Sequence, residues 1–175
     1  MPSATFNHLP LEKRTRIRQA LLQEFSHYSL EQAQVAHIVK NAGIARGAFY
    51  KYFDSLNSAY VWLLNDVENG LNIHYYGIEQ HKADDFVKLV ESLNQKVQGS
   101  QYHDLLVHHY QTNAGVLRES FMKNHRCRDL THLTSKEWAV MVLCHEAFRE
   151  LLLKETAGDA IVQRLRQSLY AILGR

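Results

Sequence analysis

Apolar residues recur along this chain at steps of three and four, the spacing of one face of an α-helix. The clearest segment runs from Gln34 to Phe53, QVAHIVKNAGIARGAFYKYF. Val35, Ile38, Val39 and Ala42 share a face, Gly43 stops the helix where a residue without Cβ can turn the chain, and Ile44 plugs the turn. A second helix starting at Ala45 or Arg46 turns Phe49 and Phe53 inward and leaves Arg46, Lys51 and Tyr52 to face outward. Two short helices about a tight turn make a helix-turn-helix, whose second helix can enter the DNA major groove.

The same periodicity predicts helices on either side. The first eight residues read as a flexible tail, and Pro10 opens a helix from Leu11 to Ser26 with Ile17, Leu21, Leu22 and Phe25 on one stripe. Between His27 and Ala33, Ser29 and Gln32 have the spacing of a capping box, which would start the next helix early. Asp54 or Ser55 caps a long helix through Tyr60, Leu63, Leu64, Val67 and Leu71 towards Tyr76. Asp84 or Asp85 starts another, with Phe86, Leu89, Val90, Leu93 and Val97 as its stripe and Gly99 as its end. Helices from Ser100 to Gln111 and from Asn113 to Lys123 precede a polar loop, HRCRDLTHL. Thr134 with Glu137 forms a capping box for a helix through Trp138, Val142, Leu143, Phe148 and Leu152 to about Glu155, and after Gly158 a last helix bears Ile161, Leu165, Leu169 and Ile172.

Composition narrows the class. Hydrophobic residues make up 46% and charged ones 22% of 175 residues, with 2 prolines and 8 glycines, which suits an all-α globular chain. No apolar run reaches membrane-spanning length and the start lacks the order of a signal peptide, so the expected location is cytoplasmic. Cys127 and Cys144 have no CxxC pairing and read as reduced thiols, with redox sensing as the alternative. The net charge of +2 is unevenly spread: residues 1–55 hold seven Lys or Arg against four acids, and the rest is close to neutral. A basic head on a neutral body fits phosphate binding by the head.

From Ile17 to Leu64 the chain resembles the TetR family of transcriptional regulators. Leu21 and Phe25 in a first helix, then Ile38, Ala42, Gly43, Ile44, Gly47, Tyr50, Tyr52 and Phe53, carry the likeness. The resemblance implies a three-helix DNA-binding head over 9–67, linked by a long helix to a ligand-binding and dimerisation body over 68–175. It further implies a homodimer formed by the last two helices, a near-palindromic operator in double-stranded DNA, and a repressor released by a small-molecule inducer. The chain departs from the family where Ser29 stands for a glycine, where Ala33 and Gln34 replace a hydroxyl helix cap, and where Leu56 and Asn57 replace a phosphate-binding lysine. Those departures leave a second reading open, a protein of this fold that works through protein partners.

Candidate DNA contacts follow. Arg46 at the helix entry has the reach to pair with guanine O6 and N7, or else to hold a phosphate, and the small Gly47 and Ala48 permit close approach, with Ala48 able to touch a thymine methyl. Gln34 can donate to phosphate, and His37 lies on the exposed side of its helix. By resemblance Tyr50 bonds phosphate while Lys51 and Tyr52 add base or backbone contacts. The cluster Lys13, Arg14, Arg16 and Arg18 either faces the DNA backbone or is a solvated face. For an inducer the chain offers Trp62, Tyr75, Tyr102, His109, Tyr110 and Phe121, each of which also fits an ordinary core role. The 11 histidines show no HxxxH or HExxH spacing, so no metal is expected, and no GxSxG or phosphate-cradling glycine loop points to catalysis or a cofactor.

Overall fold

The structure is a computed structural model that describes residues 2–71, 81–113 and 133–174. Among these the elements are helical: α1 Ala4–Asn7, α2 Leu11–His27, α3 Val35–Ala42, α4 Arg46–Tyr52, α5 Leu56–Leu71, α6 Ala83–Gln98, α7 His103–His108 continuing into a π-turn His109–Asn113, α8 Ser135–Leu153, and α9 Gly158–Leu173 behind a 3-10 turn Glu155–Ala157. They form two compact units.

The described part of the first unit is residues 2–70 with 102–113, so it is discontinuous along the chain. The stripe of α2 predicted from periodicity is buried as Ile17, Leu21, Leu22 and Phe25, and it packs against α3 on one side and α7 on another. Tyr60, Leu63, Leu64 and Val67 of α5 and Leu105 and Leu106 of α7 complete the core. At the end of α7 the π-turn carries a buried asparagine whose two ends are both engaged. Asn113 accepts from the Leu30 N–H (2.9 Å) and donates to the Tyr60 hydroxyl (3.1 Å), so a loop, a helix and the π-turn share one polar node. Its burial pushes the Tyr60 phenol up, so the ring keeps its proton.

Two expectations fail here. Residues 2–8 are not a loose tail: Ser3 caps α1 through the Phe6 N–H (3.3 Å), and Phe6 is wholly buried because Tyr52, Phe53 and Trp62 provide an aromatic slot for its ring. Ser29 and Gln32 do not start a helix. The Ser29 carbonyl takes the N–H groups of both Gln32 and Ala33, closing a turn, and the Ser29 hydroxyl goes to the Gln32 side chain (3.2 Å) instead of to backbone. The helix begins two residues after Ala33.

The second unit packs α6, α8 and α9 against one another. Phe86, Val90, Leu93 and Val97 of α6 meet Val140, Cys144, Phe148 and Leu152 of α8 and Ile161, Leu165 and Leu169 of α9 in its core. The capping box read from Thr134 and Glu137 is present, with the Glu137 N–H on the Thr134 hydroxyl and the Thr134 N–H on the Glu137 carboxylate (3.2 and 2.8 Å). Asp84, in the first turn of α6, receives Arg166 and Tyr170 of α9 (3.2 and 2.9 Å) and fixes the two helices in register. Cys144 is fully buried and burial pushes its thiol up to about 12, which disfavours a reactive thiolate there. The predicted continuation of the long helix to Tyr76, the helix from Asn113 to Lys123, the HRCRDLTHL loop and Cys127 lie outside the described residues, save for Asn113 and Leu133.

Candidate nucleic-acid interface

The predicted helix-turn-helix is formed by α3 and α4. Gly43 adopts φ 63° and ψ 42°, a left-handed conformation in which a Cβ is disfavoured, and the turn closes with the Gly43 N–H on the Lys40 carbonyl and the Ile44 N–H on that of Val39. Ile38 and Ala42 of α3 and Phe49 of α4 are buried beneath it.

The sequence has no hydroxyl to cap α3, and the structure supplies a carboxylate. Glu24, on α2 and 3% exposed, accepts from the Gln34 N–H (2.7 Å) and from His37 Nδ1 (3.1 Å). A negative group at a helix N-terminus satisfies an orphan donor and complements the helix dipole. Glu24 was missed in the sequence, although a carboxylate between Leu21 and Phe25 on an apolar stripe is a sign of a buried polar partner. His37 is thereby oriented: Nδ1 is held by Glu24, the ring lies beside Tyr28, and the side chain is partly exposed.

Along α4 the exposed positions are Arg46, Gly47, Tyr50 and Lys51, with Ala48 half-buried. The Arg46 guanidinium stands 5.9 Å over the Tyr50 ring, and Tyr50 in turn rests edge-on against buried Phe49. This shelf keeps an arginine and a phenol together on the outer face, where one can pair with a base edge and the other with phosphate. The space a Cβ would take at Gly47 is open, so the surface there is flat. Gln34 is also exposed, at the start of α3.

Tyr52 requires correction. It was expected to face outward, but it is 5% exposed, because the final turn of α4 is covered by α1 and its ring packs on Phe6 with Lys13 Nζ above it at 5.9 Å. Of the basic cluster on α2, Arg18 is tied to Asp66 (2.6 Å) and the Tyr102 hydroxyl (3.1 Å), and Arg16 to Glu12 (2.8 Å). The Arg18 pair joins α2 to α5 and to the residue before α7, whereas Arg16–Glu12 is an exposed pair within α2.

The described residues considered for an inducer have different neighbours. Trp62 belongs to the aromatic cluster with Phe6 and Phe53, because its position on α5 faces the end of α4. Tyr102 lies under the Arg18 guanidinium. His109 and Tyr110 do meet, edge to face at 5.0 Å, and His109 Nδ1 is 3.2 Å from the Tyr60 hydroxyl. Tyr75 and Phe121 lie outside the described residues. A groove in the second unit instead runs between α8 and α9, lined by Leu143, Glu146, Glu150, Ile161, Arg164 and Ser168 among others. Among the described residues no cluster of His, Cys, Asp or Glu could hold a metal ion, and no helix is long and apolar enough to cross a membrane.

Comparison with known proteins agrees with this geometry. Residues 17–55 match the bacterial regulatory proteins of the tetR family. Two Bacillus subtilis proteins described as HTH-type transcriptional regulators are similar: YdgC is 35% identical over 75 residues, covering 35% of this chain and 38% of that protein, and YvdT is 44% identical over 46 residues, covering 26% and 24%. The match therefore spans less than half the length of either relative. Among solved structures, a TetR family transcriptional regulator from Chloroflexus aurantiacus aligns over 98% of this chain and 96% of its own with a TM-score of 0.51, and a TetR transcriptional regulator from Rhodococcus sp. RHA1 over 94% and 99% with a TM-score of 0.55. Both are 17% identical, a likeness of fold.

Proposed function

We propose, from the match of residues 17–55 to the tetR family, that this chain is a DNA-binding transcriptional regulator that acts in the cytoplasm as a homodimer on a near-palindromic operator, and that it represses until a small molecule binds its body. The observation that carries the reading is the outer face of α4, where Arg46, Gly47, Tyr50 and Lys51 are exposed beyond the left-handed turn at Gly43. An arginine braced on a tyrosine at the entry of a recognition helix can read guanine, and the flat surface at Gly47 lets the helix settle into the groove. His37, Gln34, Lys13 and Arg14 surround it as phosphate contacts.

Dimerisation through α8 and α9 is supported by Trp138 and Val142, two large apolar residues one turn apart on α8 that are 51% and 41% exposed. A second copy covering them would place two recognition helices about a two-fold axis, which is the physical origin of a palindromic site. Inducer binding acts only through a difference in affinity between DNA-competent and DNA-incompetent states, and His109 and Tyr110 at the π-turn are the described candidates for sensing it.

The test is a mobility-shift titration on DNA flanking the chain's own gene, at two salt concentrations and with competitor. A discrete complex that resists competitor, weakens with salt and disappears in Arg46→Ala supports the reading. Binding that competitor fully removes, and that Arg46→Ala leaves intact, counts against groove reading and favours a protein partner.

A further inference from the structure

The recognition helix is poorly equipped to hold its own shape. It has seven residues, Ala45 at its start provides no side-chain cap, and a helix of this length does not persist in water unaided. Its last carbonyls need partners, and one of these, that of Phe49, takes the Phe53 N–H (2.9 Å). Two others are met by a residue 48 positions earlier in the chain. The Ser3 hydroxyl donates to the Lys51 carbonyl at 2.6 Å, and the Ser3 N–H donates to that of Tyr52 at 2.9 Å. Three residues on, Phe6 enters the corner between α4 and α5, with ring centroids 4.8 Å from Phe53, 4.8 Å from Trp62 and 5.9 Å from Tyr52. Ser3 also caps the turn that carries Phe6, so the two contacts form together.

We propose that the N-terminal turn is a clamp on the recognition helix, in which Ser3 and Phe6 are positioning residues that set operator affinity through α4. The inference rests on the DNA-reading role of α4. Tyr50 and Lys51 stand in the turn that Ser3 closes, so fraying of that turn displaces them directly. Arg46 stands on Tyr50 and moves with it. If loss of the clamp leaves α4 correctly formed about a tenth of the time, apparent operator affinity falls about tenfold, because only the competent fraction binds. Non-specific binding depends on counterion release by charged groups that remain in place, and it changes by less than about twofold.

The experiment compares Ser3→Ala, Phe6→Ala and Phe6→Leu with the parent chain, each well below its melting temperature. One readout is the affinity for a duplex selected by the parent protein from a random pool, set against affinity for unselected random duplex. The other is hydrogen exchange of the amides of residues 46–53 in the absence of DNA. A loss of about tenfold on the selected duplex alone, with faster exchange in α4 than in α2 and recovery of both in Phe6→Leu, is the expected result. Unchanged affinity for the selected duplex, or parallel loss on both duplexes, overturns the clamp. Should Phe6→Ala fail to fold, Ser3→Ala decides, since it leaves the aromatic slot filled. Should the parent protein select no duplex, the regulator reading fails by itself, and exchange decides the clamp: α4 protection unchanged in Ser3→Ala overturns it.

Discussion

Replacing Glu24 by alanine tests whether a carboxylate on α2 holds the start of the helix-turn-helix. The substitution removes the acceptor for the Gln34 N–H at 2.7 Å and for His37 Nδ1 at 3.1 Å. A lost N-cap destabilises by about 1 kcal/mol, and a hydrogen bond from a half-exposed histidine adds roughly 0.5–1 kcal/mol. Against this, the buried carboxylate no longer has to be desolvated, which offsets part of the loss. The net expectation is about 1–2 kcal/mol, read as a fall in the urea midpoint of roughly 0.5–1 M at a typical slope of about 2 kcal/mol/M. A double-mutant cycle with His37→Ala should show coupling of about 0.5–1 kcal/mol, because the two side chains share one bond. A midpoint within experimental error of the parent protein, or no coupling to His37, would refute the capping role.

Three other predictions follow from particular side chains. Gly47→Ala should raise thermal stability by about 0.5–1 kcal/mol, since alanine favours helix and the added methyl meets nothing, yet weaken operator binding in a titration because it lifts α4 off the base edges. Glu68, on α5, is partly buried and burial pushes its carboxyl up to about 7 from an ordinary 4.5. The folded state therefore holds this proton more tightly than the unfolded chain, and stability falls as pH rises between those values; Glu68→Gln should stabilise by at most about 3 kcal/mol above pH 7 and by little below pH 4.5 in denaturation curves. Cys144, buried with its thiol pushed up to about 12, should stay unmodified by iodoacetamide in the folded protein at neutral pH while reacting once unfolded, as peptide mapping would report.

The helices and the turn were legible because periodicity and glycine act locally. Val35 to Ala42, Gly43 and Phe49 to Phe53 specify the motif within twenty residues, and the Thr134–Glu137 box specifies a helix start within four. What sequence could not supply were contacts closed over long separations. Ser3 reaches Lys51 across 48 positions, and Glu24 serves a helix ten residues further on. Tyr52 illustrates the same limit: at the end of a short helix, a residue faces solvent or core according to whether another segment covers it, and the cover here is a four-residue turn with one aromatic side chain. For Trp62 the sequence left pocket and core roles open for the same reason, since nothing near it in sequence announces Phe6.

The discontinuity of the first unit limits how this chain can be divided. A fragment ending at residue 70 keeps all of α2, α3 and α4 but loses α7, and with it the buried leucines 105 and 106 that cover α2, and Asn113, which holds the loop at Leu30. Such a fragment would present a bare apolar flank to water and a slack entry into α3. On the ribosome the same stretch must wait, half-covered, until more than thirty further residues have emerged, so the unit that holds the helix-turn-helix is finished only after α6 of the other unit has been made.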